Sequence, residues 1–225
     1  MSEKKYILLS HVLDENTPTY GNRDKFVAGE KSQIKQGAGA NSSTWNFSIN
    51  HIGSHIDMPK HFFDNGKTLT DYNPGQWIFE NVQLIDIPCT SARLIMPADF
   101  TEKPGDKTQL LLIRTNYETY RGSDKYWNDN PGLAPQLGIW LRENFPDIRA
   151  VGFDFISLTS WKFRAEGREA HRVFLDPEGS GSPLWILEDL SLERADENMT
   201  RVIVSPLFVK DGDGSPVTVF AEIPA

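Results

Sequence analysis

Apolar and polar positions alternate most cleanly between Thr44 and His51. Trp45, Phe47, Ile49 and His51 fall on one face and Thr44, Asn46, Ser48 and Asn50 on the other, the period of a half-buried strand. Tyr6 to Ser10, Val82 to Ile87, Gln109 to Arg114, Ala150 to Phe155 and Arg201 to Pro206 are strand-length apolar runs, and Val217 to Glu222 reads as a last strand. Helical spacing is best over Ala134 to Asn144, where Leu137, Ile139, Trp140 and Leu141 turn inward. Pro135 suits the first turn there, and Pro146 stops any continuation. A shorter helix is predicted over Asp124 to Asn128. Residues 29–43 are polar and contain glycine, which predicts a loop. Strands outnumber helices, so the pattern predicts an α/β or α+β chain with a large sheet content. No repeat, low-complexity tract or Pro/Gly/Ser-rich linker divides it, which predicts a single domain over residues 1–225.

Composition narrows the partners. The chain carries 31 acidic and 23 basic residues, a net charge of −8, and has no basic run. It lacks the electrostatic footprint of a nucleic-acid or anionic-membrane binder. The single cysteine, Cys89, excludes an intrachain disulfide and a Cys-rich zinc module, and reads as a small core residue. A reducing, cytoplasmic location is the simplest expectation. The apolar stretch near the start, Tyr6 to Leu9, is too short for a secretory leader, and the longest apolar runs are strand-sized.

The chemistry concentrates in one place. Of five histidines (His11, His51, His55, His61 and His171), three fall within eleven residues, in His51-Ile-Gly-Ser-His55-Ile-Asp57-Met-Pro-Lys-His61. Gly53 and Pro59 argue against a helix. In an extended chain positions 51, 55, 57 and 61 all face one side, but a straight strand holds His51 and His55 roughly 13 Å apart, too far to share an ion. Gly53 permits the bend that closes this gap. Imidazole and carboxylate without thiolate suit Zn²⁺, Mn²⁺ or Fe²⁺. Such a site with an open position lowers the pKa of bound water to about 7, and a histidine left out of coordination can shuttle protons. A pocket of protonated histidines for a phosphate or carboxylate is the competing reading. His11, isolated from this cluster, reads as a surface or hydrogen-bonded core residue.

The stretch His51-x-Gly53-Ser54-His55-x-Asp57-x-Pro59-x-His61-Phe62 resembles the HxGTHxDxPxHF signature of the metal-dependent cyclase family, which includes bacterial kynurenine formamidases and isatin hydrolases. Ser54 replaces the usual Thr and keeps a hydroxyl. Further segments are similar to the family pattern: Leu9-Ser10-His11 with Thr17-Pro18-Thr19-Tyr20-Gly21, Phe62 to Leu69, Gly152-Phe-Asp154-Phe-Ile-Ser157, and Pro206-Leu207 followed by Gly212-Asp213-Gly214-Ser215-Pro216. Together they run from about residue 9 to 216.

The resemblance implies a swivelling β/β/α fold, assembled as a homodimer or homotetramer. It implies that His51, His55 and Asp57 are metal ligands, with Asp57 bridging. His171 and Glu188 then complete a second metal position in two-zinc members, and His61 is the catalytic acid/base. The implied cofactor is Zn²⁺, one ion or two, with Mn²⁺ as the alternative. Two departures stand out: the sixteen residues between His171 and Glu188, and the stretch Leu158 to Glu169, whose Trp161, Phe163, Arg164 and Arg168 either line a pocket and read a substrate carboxylate or form a surface loop. Trp45, Trp77 and Trp161 are candidate pocket walls.

The expected activity is hydrolysis of a small amide, formamide or lactam, by a metal-bound hydroxide with His61 as proton shuttle. A metal-assisted cyclase or dehydratase of a small carbonyl compound is the alternative. A non-catalytic small-molecule-binding protein on the same fold is a third reading.

Overall fold

A computed structural model describes residues 4–224; residues 1–3 and 225, the two ends of the predicted domain, lie outside the described part. In chain order it contains β1 (Lys4–Leu8), β2 (Phe26–Ser32), β3 (Ser42–Phe47), β4 (His55–Asp57), β5 (Ile78–Phe79), β6 (Val82–Asp86), β7 (Leu94–Ile95) and β8 (Leu110–Arg114). There follow α1 (Lys125–Asn128), β9 (Gly132–Leu133), α2 (Pro135–Asn144), β10 (Ala150–Phe153), α3 (Arg164–Leu175), β11 (Trp185–Glu188), β12 (Arg201–Pro206) and β13 (Gly214–Pro224). This is the sheet-rich α/β architecture with few helices.

Nine strands make one mixed sheet. β6, β8, β10 and β11 run parallel, and β4 joins β11 antiparallel. β13 then pairs antiparallel with β4, β12 and β1, and β5 lies on the far side of β12. Alternate residues feed two cores. Leu111, Ile113, Val151, Phe153 and Ile186 pack with Leu137 and Leu141 of α2 and with Phe174 of α3. Leu110, Leu112, Ala150, Trp185 and Leu187 pack with Val202, Val204 and Val219 of the antiparallel strands. Both faces of β8, β10 and β11 are covered, so these strands are continuous apolar runs rather than alternating ones, while β6 at the edge stays half-exposed.

Four sequence expectations need correction. The strand around Trp45 ends at Phe47 and pairs only with β2, in a hairpin separate from the main sheet. With no second layer over it, Trp45 is 71% exposed, so it is neither core nor pocket wall. Residues 29–43 are not a plain loop: they supply most of β2, the hairpin turn and the start of β3. Within 158–169, the loop ends at Phe163 and α3 begins, burying Gly167, Ala170, His171, Phe174 and Leu175 on one face. Glycine and histidine in that buried stripe weaken the apolar signal, and the intervening Arg and Glu residues hide it. In α2, Ile139 is exposed while Leu137 and Leu141 are buried.

Candidate metal centre

The antiparallel register of β4 and β11 builds the centre. His55 lies directly opposite Glu188, and Asp57 opposite Ile186. Residues two apart on a strand share a face, so His55, Asp57 and Glu188 project together. On its other side β4 pairs with β13, where Gly214 opposes Asp57 and brings the preceding Asp213 alongside. A Cβ on Gly214 would meet the His51 ring at 2.5 Å, so only glycine fits there. The chain turns sharply before β4, with Gly53 at φ +61°, and this delivers His51 to the same cavity. Pro59–His61 form a short 3₁₀ turn that returns His61 to it. His171 enters from the buried face of α3, and Phe62 stacks on its ring at 4.8 Å. All six predicted residues (His51, His55, Asp57, His61, His171 and Glu188) line one cavity of about 510 Å³.

His55, Asp57 and Glu188 have the spacing of a coordination shell, and His171 faces the other oxygen of each carboxylate. His55 Nε2 is 3.2 Å from Glu188 Oε2 and 3.5 Å from Asp57 Oδ1. His171 Nε2 is 3.5 Å from Asp57 Oδ2 and 3.6 Å from Glu188 Oε1. Ligand bonds of about 2.0–2.1 Å in a tetrahedron put neighbouring donor atoms about 3.3 Å apart. Hydrogen bonds to a carboxylate are shorter than most of these distances. Both rings are also oriented for ligation. His55 Nδ1 donates to the Gly53 carbonyl at 2.8 Å, and His171 Nδ1 to the Gly167 carbonyl at 2.9 Å. That leaves each Nε2 lone pair aimed at the carboxylates, as in metal sites where the second ring nitrogen fixes the tautomer. The donor set therefore fits a divalent cation.

The other two histidines are hydrogen-bonded. His51 donates from Nδ1 to Asp57 at 2.7 Å and from Nε2 to Asp213 at 3.1 Å. His61 donates from Nδ1 to the same Asp213 oxygen at 3.1 Å, and the His51 and His61 rings lie 4.0 Å apart. Donor atoms of His51, Asp57 and His61 lie within 4.8 Å of one another, as do those of His55, Asp57 and Glu188, so Asp57 is common to both groups.

Protonation follows from this crowding. Burial opposes charge on His51, but Asp57 and Asp213 outweigh it and push its pKa up to about 10. His171 rises to about 9 against the same burial penalty, through Asp57 and Glu188, and His55 is raised by Glu188. Burial acts to raise the pKa of Asp57 and Glu188, yet both are held below the ordinary carboxylate range by the imidazoles. Without an ion, imidazolium protons thus balance the carboxylates, and an arriving cation must displace them.

Surrounding groups fix the centre. Glu188 Oε1 accepts the Leu158 amide at 2.7 Å. Asp189, the rival carboxylate one residue on, has φ +52° and turns the other way, held bidentately by Arg121 and by the Tyr126 hydroxyl. Its carbonyl accepts the Ser54 hydroxyl, tying the residue before His55 to the residue after Glu188. This is the use of the hydroxyl that Ser54 retains. His11 stays apart, with its Nε2 buried and 3.8 Å from Glu118. Cys89 is a buried thiol, and Trp77 packs on Trp185 in the core. Trp161 lies against Tyr20, a cavity wall. Sequence reasoning missed Asp213 as a site residue. Its signal was present in the Gly212-Asp213-Gly214 segment, a turn-like glycine-flanked acid whose target is visible only once β13 pairs with β4.

The family described as "Putative cyclase" matches residues 7–159. A kynurenine formamidase from Bacillus thuringiensis subsp. konkukian is 26% identical over 218 residues, covering 96% of this chain and 97% of that protein. An uncharacterized protein of Haemophilus influenzae is 28% identical over 110 residues, 47% of this chain and 78% of its own. Among solved structures, isatin hydrolase A from Labrenzia aggregata superposes with a TM-score of 0.80 at 22% identity, covering 99% of this chain and 94% of that one. A predicted metal-dependent hydrolase from Bacillus stearothermophilus gives a TM-score of 0.75 at 19% identity, covering 98% and 99%.

Proposed function

Because this chain belongs to the putative cyclase family, we propose that it is a metal-dependent hydrolase of a small amide, formamide or lactam. One observation carries the reading. Two imidazole Nε2 atoms and two buried carboxylates face one another at 3.2–3.6 Å, with both rings pinned through Nδ1. The full-length likeness to kynurenine formamidases supports C–N hydrolysis over other chemistry.

In this reading His55, His171, Asp57 and Glu188 hold the cation, and His51 joins them on the other side of Asp57 once the proton it gives Asp57 is displaced. The thiolate-free set suits Zn²⁺, with Mn²⁺ as the alternative. A bound ion supplies Lewis acidity, which polarises the carbonyl and makes water nucleophilic near neutral pH. The protein's own groups do the rest. Asp213 holds His61 by Nδ1, leaving Nε2 to take a proton from the attacking water. As the C–N bond breaks, His61 returns that proton to the leaving nitrogen. Asp213 also fixes His51, so one carboxylate sets the orientation of both rings. The cavity, about 510 Å³, is of a size for a small molecule.

The test is product analysis with N-formylkynurenine, isatin and simple lactams. The proposal expects one formate, or one ring-opened acid, per substrate consumed. Ring closure without water uptake would instead identify the cyclase alternative.

A further inference from the structure

The chain is acidic overall, at −8, yet one arginine lines this cavity and three more stand on the exposed side of the neighbouring α3. The one in the lining is Arg23. Arg164, Arg168 and Arg172 recur at every fourth position of α3 and so form one stripe. Two contacts place the stripe beside the cavity. The Arg164 guanidinium lies 4.9 Å over the Trp161 ring, which packs on Tyr20 at 5.2 Å. The Arg172 guanidinium lies 5.8 Å over Phe62, which stacks on His171. Arg93, Arg114, Arg121 and Arg201 each hold an acid within ion-pair distance; Arg23, Arg164, Arg168 and Arg172 hold none among the described residues. The nearby acids do not neutralise them. Asp24 accepts the Ser48 hydroxyl, and Glu166 and Glu169 stand on α3 without pairing.

Tyr20 connects this stripe to the reaction centre. Its hydroxyl is buried with the Arg164 guanidinium beside it as a donor, and no acceptor among the described residues takes its proton. Tyr20 lines the cavity together with His171 and Glu188, and it packs on the Trp161 ring that Arg164 covers, so it touches both the reaction cavity and the foot of the stripe. A buried donor without an acceptor, beside a guanidinium that holds no carboxylate, is a seat for an acceptor that arrives with the ligand.

We propose that the site selects amides bearing an anionic group of the carboxylate class. Arg164 and the Tyr20 hydroxyl seat that group, while Arg23, Arg168 and Arg172 attract it from farther away. The planar guanidinium fork matches a carboxylate better than an isosteric neutral amide. This inference rests on the hydrolase reading above and adds the substrate's charge.

The test compares a formanilide carrying a ring carboxylate with the same molecule carrying a carboxamide there. The proposal expects the carboxylate to be favoured about 10- to 100-fold in kcat/KM. That ratio should shrink between about 20 mM and about 500 mM NaCl as screening shortens the field. Arg164→Met should collapse the ratio by about tenfold or more, chiefly through KM, and Arg164→Lys should restore part of it. Equal kcat/KM for the two substrates, or a ratio that survives Arg164→Met, overturns the proposal while leaving the hydrolase reading intact. If neither formanilide is hydrolysed, the hydrolase reading is decided by N-formylkynurenine, isatin and the lactams, and binding decides the anion seat separately. Calorimetry should then show benzoate binding more tightly than benzamide, by a margin lost in Arg164→Met; equal affinities overturn it.

Discussion

Replacing Asp213 by Asn probes the residue that links the two hydrogen-bonded histidines. One Asp213 oxygen accepts both His51 Nε2 and His61 Nδ1 at 3.1 Å, and the other accepts the Asn50 amide at 2.7 Å. All three partners are donors. An asparagine offers one acceptor and one donor, so one side must face a donor with a donor whichever way the amide turns. Charge-assisted hydrogen bonds are worth about 1.5–3 kcal/mol each. The Asp213 side chain is 38% exposed, so water replaces part of this and about 1–1.5 kcal/mol per imidazole is the proper scale. Two such losses give about 2–3 kcal/mol, or roughly a 30- to 150-fold fall in kcat. KM should change little, because Asp213 orients imidazoles rather than substrate, and bound metal should stay near the wild-type level. Steady-state kinetics and elemental analysis on one preparation check this. A kcat within threefold of wild type refutes the orienting role. Loss of metal in step with rate makes Asp213 a ligand instead.

Three further predictions follow from other contacts. Asp57→Asn should weaken metal binding by about 10²- to 10⁴-fold, the scale of removing one partner from a buried charge set, read by competition with a chelator; unchanged metal content would remove Asp57 from the ligand set. His61→Ala should keep most of its metal and lose about 10²–10⁴ in kcat, as expected of a proton carrier; joint loss of metal and rate would make it a ligand. Burial, aided by Asp154, pushes the Glu118 pKa up to about 7 from an ordinary 4.5, against hydrogen bonds from Ser191, Leu192 and Glu193. Folding therefore favours the protonated acid. Its stabilising contribution is full below about pH 4.5, declines as pH rises and is gone above about 7, a change of about 2–3 kcal/mol. Glu118→Gln should flatten that part of the stability profile in urea titrations at pH 5 and 8, and identical profiles for the two proteins would contradict it.

Much of the centre was legible in the sequence because its residues are close in the chain or lie in recurring segments. The cluster from His51 to His61 needed only a bend, and Gly53 supplied it. Most strands were legible as apolar runs because β8, β10 and β11 are covered on both faces. What escaped notice depends on tertiary pairing. Alternation around Trp45 looks the same whether or not a second layer exists to cover it. The buried stripe of α3 carries Gly167 and His171 where apolar side chains would announce a helix. Asp213 acts on histidines about 150–160 positions away, through a strand pairing that no local pattern encodes. Glu188 and Asp189 are neighbours of the same chemistry; only the β11 register and the Arg121 clamp tell them apart.

In the proposed reaction His55, Asp57, His171 and Glu188 hold a cation without which no amide is hydrolysed. The most direct measurement is metal-to-protein stoichiometry and amide hydrolysis on the same preparation, before chelation, after it, and after adding back Zn²⁺ or Mn²⁺. One or two ions per chain are expected, with rate and metal lost together and both restored by one of those ions. Full activity in protein stripped of metal would contradict that dependence.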